Sequence, residues 1–378
     1  MKQPAVTVVI CNFNKREDVV RAVQSVHDSH NVQCTTLVID NASTDGSQDL
    51  LRERFGDRIQ LVELPCNIGG AGGFGTGMTR ALAEPSEFVL LLDNDAFLEP
   101  DALAQMCDFL VQRPDVAVVG PAILFDQQRD LVQELGGRIN ERFVFHPNFR
   151  GSARTELPAA PYCCDYVPAC CLLTRREVID QVGVFDPSYF LYWDDVDWCS
   201  RVRQQTGMTI QGLPSAIAWH RGGSATNPIA RYYQWRNRLK YFSAHLQPAQ
   251  WPAFAVSFAE QVMMALVNSR LSGKENVVAA IEAALEDATA RRFDRCQNTE
   301  RFIAVKPRQP YTAKASAVVH ECGHVFDAIG LQGVDYIQDA YGNRIGSLAA
   351  TEAAALAKNC CDYARLIAAS LATLAPCD

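Results

Sequence analysis

The segment Phe88-Val89-Leu90-Leu91-Leu92-Asp93-Asn94-Asp95 joins an apolar run to two carboxylates one residue apart. The run has the length and composition of a buried strand, so the carboxylates stand at its end, where an open α/β sheet forms its ligand crevice. Paired carboxylates there suit a hard divalent cation with oxygen ligands. Asn12 follows the strand-like residues 6–10 and Asp40 follows 35–39, so both end strands in the same way. Asp40 is placed to accept hydrogen bonds from a base or ribose; the alternative is a turn-forming Asp in Asp40-Asn41-Ala42-Ser43. His220 ends the short strand Ile217-Ala218-Trp219-His220 and offers a neutral metal ligand.

Two further segments carry chemistry. Asn67-Ile68-Gly69-Gly70-Ala71-Gly72-Gly73-Phe74-Gly75 reads as a loop whose backbone approaches a ligand closely, with N–H groups at a helix start that favour an anion. No Lys follows it as in a P-loop, and the strand before it is third rather than first, unlike a dinucleotide fingerprint. Tyr192-Trp193-Asp194-Asp195-Val196-Asp197-Trp198-Cys199-Ser200-Arg201 opens a helix whose acids complement its dipole. Asp197 and Arg201 have the spacing of a surface ion pair. Asp194 and Asp195 stand beside two tryptophans, and like carboxylates in an apolar rim suit a general base.

The elements that must position these groups alternate. Val19, Val20, Val23 and Val26 predict a helix over 18–27. Ser43 or Thr44 caps a helix over 47–55, a third strand spans 59–64, and a helix runs to Ala83 before the strand at 88–92. Strands alternating with helices predict a doubly wound α/β half. After Pro121 the pattern loosens into short strand-like pieces and turns, and a helix over 175–182 precedes Gly183-Val184-Phe185-Asp186-Pro187. Past about Ala225 the composition shifts to Ala, Leu, Arg and Glu, with helices predicted over 276–293 and 348–373. The expected division is a domain over 1–225 and a mainly helical region over 226–378.

The chain has 378 residues and a net charge of −8, which argues against a nucleic-acid partner. Met1-Lys2-Gln3-Pro4 runs straight into a strand without a leader pattern. The most apolar window, 251–267, contains Glu260 and Gln261 and reads as a buried or interfacial helix rather than a span. The cysteines include three adjacent pairs and no C-x-x-C. They match no zinc spacing and read as small buried hydrophobes in a reducing compartment.

Taken in order, the motifs resemble the family 2 inverting glycosyltransferases of the GT-A fold, over about residues 5–245. The resemblance rests on Asn12-Phe13-Asn14, Asp40-Asn41-Ala42-Ser43, the 67–73 loop, Asp93-Asn94-Asp95, Gly183-Val184-Phe185-Asp186, the acidic helix and Arg236-Asn237. The glycine-rich segment, Trp193-Asp194-Asp195 and Ala218-Trp219-His220 look most like bacterial galactofuranosyl- and rhamnosyltransferases that build surface glycans. The resemblance implies a GT-A domain followed by a mainly helical region. It implies metal-dependent, inverting transfer from a UDP-galactofuranose or dTDP-rhamnose type donor to a glycan, lipid-linked glycan or protein hydroxyl. It places Mn²⁺ or Mg²⁺ on Asp93, Asp95 and His220, and the donor on Asn12, Asp40, Asn67, Gly72, Gly73 and Asp93. Trp193 and Asp194 then shape the sugar pocket, and Asp195 is the base. A cytoplasmic setting, at or near the inner face of the membrane, goes with the resemblance; peripheral membrane contact and homo-oligomers remain open under it. Two positions depart from the family pattern: Asp194 stands where many members have Glu, and Ala169 where a Gly is common near the acceptor site.

His320-Glu321-Cys322-Gly323-His324 matches the H-E-x-x-H pattern of zinc hydrolases. Gly323 weakens a helix there, no third His follows at the extended spacing, and about 60 surrounding residues are too few for a protease domain. The motif is therefore read as structural or coincidental, with a zinc hydrolase as the remote alternative. A non-catalytic scaffold that binds nucleotide-sugar is the other rival; Asp95, Asp195 and His220 together argue against it.

Overall fold

The computed structural model describes residues 3–222, 227–307 and 350–376. The chain forms two compact units, Met1–Gly223 and Ser224–Asp378. The His320–His324 motif lies outside the described residues.

The first unit is built on a mixed sheet. Its strands are β1 (Ala5–Asn12), β2 (Gln33–Asp40), β3 (Gln60–Glu63), β4 (Phe88–Asp93), β5 (Ala96–Leu98), β6 (Val116–Phe125), β7 (Gln128–Glu134), β8 (Gly137–Ile139), β9 (Phe145–Pro147), β10 (Tyr162–Cys164), β11 (Cys171–Arg175) and β12 (Thr209–His220). The main sheet runs β10-β12-β6-β11-β4-β1-β2-β3, with β5 paired to β12 and β7 to β6; β8 and β9 form a separate ribbon. The half β4-β1-β2-β3 is parallel, and β11 enters antiparallel between β4 and β6. β1 and β4 are buried on both faces, which is why they read as continuous apolar runs. Helices α1 (Arg16–His27), α2 (Ser47–Phe55), α3 (Gly69–Ala81) and α4 (Ala102–Gln112) cover the sheet. Val19, Ala22, Val23 and Val26 of α1 bury one helical stripe against it.

The expectation of a glycine-rich loop is corrected here. Gly69 already begins α3, and Gly72, Gly73, Gly75 and Gly77 are buried within it. A Cβ on Gly73 would overlap the Cys11 sulfur and the Asn41 amide, and one on Gly77 would overlap Val9. Both glycines let helix and sheet approach closely; a larger residue at either position would push them apart. Gly69 adopts φ +80° and would strike the Phe190 carbonyl if it carried a side chain.

Helices α5 (Arg176–Val182) and α6 (Asp194–Thr206) complete the first unit. α6 ends at Gly207, whose φ of +68° is the left-handed C-cap that glycine supplies without strain. The second unit holds α7 (Pro228–His245), α8 (Trp251–Leu271), α9 (Glu275–Thr289), α10 (Glu300–Ile303) and the final helix Ala350–Leu374. In α8, Phe254, Phe258, Val262 and Met263 are buried while Val256 faces solvent, so the apolar window is one packed face of a helix. Among the described residues, no helix is long and apolar enough to cross a membrane.

Candidate active site

Strand register assembles the site. Parallel β1, β2 and β4 end level, with Asn12 opposite Asp40 and Cys11 opposite Asp93. The turn Asn94-Asp95 leads into β5, which pairs antiparallel with β12 so that Ala96 faces His220. That pairing carries the imidazole to the two carboxylates although more than 120 residues separate them in sequence. His220 Nε2 lies 3.1 Å from Asp95 Oδ1 and 3.8 Å from Asp93 Oδ2. Lys15 Nζ stands 3.5 Å from the other Asp95 oxygen.

Charge is unevenly balanced around these groups. Burial pushes the Asp93 carboxyl above the usual carboxylate range; His220 opposes this, while Asp95 and Asp195 add to it. Asp95 goes the other way: burial would raise it, but the hydrogen bond and charge of His220, with Lys15, hold it low. Burial alone would lower His220, and Asp95 and Asp93 outweigh it, so the imidazole is raised. Asp194 is raised well above its ordinary value by burial and by Asp195. Burial also raises Asp195, against hydrogen bonds donated by the Ala169 N–H at 3.2 Å and the Val196 N–H at 2.8 Å.

These residues fit a divalent cation. Two carboxylates and one imidazole are the hard oxygen and nitrogen donors that Mn²⁺ and Mg²⁺ accept. The Gln133 side chain supplies an independent check. Its amide nitrogen sits 3.0 Å from His220 Nδ1, and its Oε1 is buried with no hydrogen-bond partner among the described residues. A metal on Nε2 requires the imidazole proton on Nδ1, which needs an acceptor; a half-turn of the Gln133 amide presents that orphaned oxygen.

With this geometry in place, the family comparison is decisive for the sheet. The model described as Glycosyl transferase family 2 matches residues 7–183. Just under half of the chain is thus similar to that family. The match covers β1 through β11 and ends before α6 and β12, so the case for Asp195 and His220 comes from geometry. A galactofuranosyltransferase of Mycolicibacterium smegmatis is 24% identical over 312 residues, 75% of this chain and 47% of that protein. An N-acetylglucosaminyl-diphospho-decaprenol L-rhamnosyltransferase of Mycobacterium tuberculosis is 23% identical over 214 residues, 51% of this chain and 68% of that protein. The crystal structure of S. aureus TarS shares the fold at a TM-score of 0.51 and 14% identity, over 89% of this chain and 55% of that one. The chain thus spans about half the length of the galactofuranosyltransferase it matches. The fold is that of the GT-A transferases, followed by a helical region.

The other expected site residues are placed as follows. Asp40 is fully buried and accepts from Asn12 Nδ2, the Ser43 N–H and Gln48 Nε2, each at 2.8 Å. Asn12 is equally buried, bonded to Asp40 and Ser43 and accepting from Asn94. Together they brace the strand ends that carry Asp93 and Asp95. Asn67 accepts from the Gly69 N–H, and the Phe190 carbonyl accepts from the Ala71 N–H, so two donors at the start of α3 are already engaged. The missing side chains of Gly72 and Gly73 let α3 seat against Ile68, Cys11 and Asn41. Asp197 is not at the surface: it is buried, 2.9 Å from Arg201 Nε, and accepts from the Tyr189 hydroxyl. Arg201 also donates to the carbonyls of Val182 and Val184, so this pair ties α6 to the end of α5. Trp193 is buried edge-on against Phe145, at φ +71°, immediately before the paired acids.

Three site residues went unread in the sequence. Gln133 and Glu134 lie on β7, in the stretch after Pro121 where the pattern appeared to loosen. Their one signal is a polar pair between Val132 and Leu135 just before Gly136-Gly137. Burial pushes the Glu134 carboxyl up to about 8, with Asp195 adding to it and His220 and Arg150 opposing. Cys170 was read only as a packed thiol; its sulfur shares the crevice with Asp93 and His220. The cysteine reading otherwise holds for Cys11, Cys107, Cys164, Cys171, Cys199 and Cys296, all buried, while Cys66 and Cys163 are exposed.

Proposed function

We propose that the protein is a metal-dependent, inverting hexosyltransferase that uses a nucleotide-diphospho-sugar, of the UDP-galactofuranose or dTDP-rhamnose type. The carrying observation is that Asp93, Asp95 and His220 converge at the carboxyl ends of the strands, with Asp195 near enough to raise Asp93. Asp93, Asp95 and His220 would hold Mn²⁺ or Mg²⁺. Such an ion supplies Lewis-acid stabilisation of a departing diphosphate.

The remaining chemistry belongs to the side chains. Asp195 is held by two backbone N–H groups, which fix its oxygens at the start of α6. With a reference pKa of about 3.9 an Asp cannot ionise a sugar hydroxyl beforehand, but it takes the proton as the new C–O bond forms. Asp194, whose carboxyl burial and Asp195 hold well above its ordinary value, and Trp193 wall the sugar pocket. One base and one displacement give inversion at the anomeric carbon. The relatives' names support a lipid-linked or glycan acceptor in surface-glycan synthesis, and with it a place at the cytoplasmic face of the membrane.

The test is incubation of the full chain with UDP-galactofuranose or dTDP-rhamnose, Mn²⁺ and a polyprenol-linked acceptor. Product of inverted configuration is expected. Donor binding without transfer to any acceptor would favour the scaffold reading, and a retained product would exclude this mechanism.

A further inference from the structure

We propose that the crevice has a second, softer metal-binding mode, in which Asp93, Cys170 and His220 together take Zn²⁺ or another thiophilic divalent cation. The proposal rests on the reading that Asp93 and His220 face a cation, and adds a ligand to it. One donor atom from each of the three residues lies within 4.8 Å of the other two. The cause is register. Cys171 pairs with Leu92 across β11 and β4, so Cys170 is the cross-strand neighbour of Asp93, and the Asp93 N–H donates to the Cys170 carbonyl at 3.1 Å.

The set is one carboxylate oxygen, one imidazole nitrogen and one sulfur. Zinc bonds these at about 2.0–2.3 Å, and the donors of a tetrahedral ion then lie roughly 3.3–3.8 Å apart. The observed spacing needs a closure of about an ångström, within reach of side-chain rotation. Three protein ligands leave a fourth position open, the pattern of a zinc site accessible from outside. Hard and soft ions should divide the residues differently. Mn²⁺ and Mg²⁺ prefer the two carboxylates and leave the thiol protonated; zinc exchanges Asp95 for sulfur. In that exchange the Cys170 S–H gives its proton to solvent and the sulfur lone pair forms the metal bond. Zinc drawn toward β11 competes with Mn²⁺ for Asp93 and His220, and should therefore inhibit rather than support transfer.

The experiment uses the full chain carrying His320→Ala and His324→Ala, which removes the other His and Cys grouping in the sequence. Co²⁺ is the probe, because a sulfur ligand gives it a near-ultraviolet charge-transfer band. Binding of Co²⁺ should produce the band, and excess Mn²⁺ should displace it, since the two ions share ligands. Cys170→Ser, or Cys170→Ala if the first folds poorly, should abolish the band and weaken Zn²⁺ by at least about 100-fold. Mn²⁺ affinity, followed by electron paramagnetic resonance, should be unchanged and shows that the variant is folded. Cys66→Ser with Cys163→Ser should keep the band. Co²⁺ binding without the band, or a band that survives Cys170→Ser or resists Mn²⁺, overturns the proposal alone. Failure of both Co²⁺ and Mn²⁺ to bind overturns it together with the reading beneath it.

Discussion

The protein buries carboxylates in two places and treats them differently. In the helical unit, Asp287 accepts from the Tyr232 hydroxyl, faces Arg292 at 2.7 Å and pairs with Arg301. Two guanidiniums and a phenol answer one carboxylate. In the crevice of the transferase domain, Asp93, Asp194, Asp195 and Glu134 crowd one another, and all four are held above the ordinary carboxylate range. Among the described residues, the cations acting on the raised groups are His220, Lys15 and Arg150. The first arrangement is complete as it stands. The second is short of positive charge, which is the condition that a divalent cation relieves and a proton-accepting base exploits.

The widest separation between the two places should appear in turnover. Asp195→Asn keeps shape and removes the proton acceptor, so transfer should fall by ~10²–10⁴ while donor and Mn²⁺ affinities stay within a few-fold. Single-turnover kinetics beside calorimetric binding make the comparison. A variant that loses donor binding and rate together would move Asp195 from the base to the pocket wall.

Next in size is the paired carboxylate. Asp287→Ala takes a buried carboxylate away from the Tyr232 hydroxyl, the half-buried Arg301 and the exposed Arg292, and should lower stability by about 1–3 kcal/mol in urea unfolding. Asp195→Asn should leave urea stability intact or raise it, because it removes a charge held against burial. If both variants were destabilised alike, the crevice would be a structural network after all.

Metal should act on only one of the two places. Mn²⁺ at 100 times its Kd should stabilise the fold by about 2.7 kcal/mol. Asp95→Ala should abolish that shift, and transfer should stop in EDTA. The Asp287 variant should keep the full shift. Asp197→Asn sits between the extremes: it weakens a buried pair that also takes the Tyr189 hydroxyl, and should destabilise by about 1–3 kcal/mol with little change in rate.

The sequence showed clearly what depends on local pattern. Apolar runs ending in Asn12, Asp40 and Asp93 could be aligned because parallel strands in a doubly wound sheet end together. Contacts made by register between distant segments could not be read. Nothing local says that Ala96 pairs with His220, that Cys170 faces Asp93, or that β7 brings Gln133 to the imidazole. The misreadings share one physical cause. Gly73 and Asp197 have small or polar character that suits a loop or a surface, but each is consumed by packing or by buried hydrogen bonds, and burial is a tertiary property.

The predicted pH response has the most distinctive sign. Glu134 is buried, and its carboxyl stands at about 8 against an ordinary 4.5. Below about pH 4.5 the folded and unfolded chains both hold the proton and the residue contributes no pH dependence. Between 4.5 and 8 the unfolded chain releases the proton while the folded chain keeps it, so stability falls as pH rises. The slope is at most on the order of 1 kcal/mol per pH unit. Glu134→Gln removes the titration, so the variant should match the wild type near pH 4 and exceed it near pH 8, in urea unfolding followed at both values. Asp287→Asn should lose stability at neutral pH instead, because its carboxylate is matched by cations. A Glu134→Gln variant that is weaker at pH 8 would show that Glu134 is ion-paired like Asp287, and that the crevice lacks less positive charge than its carboxylates indicate.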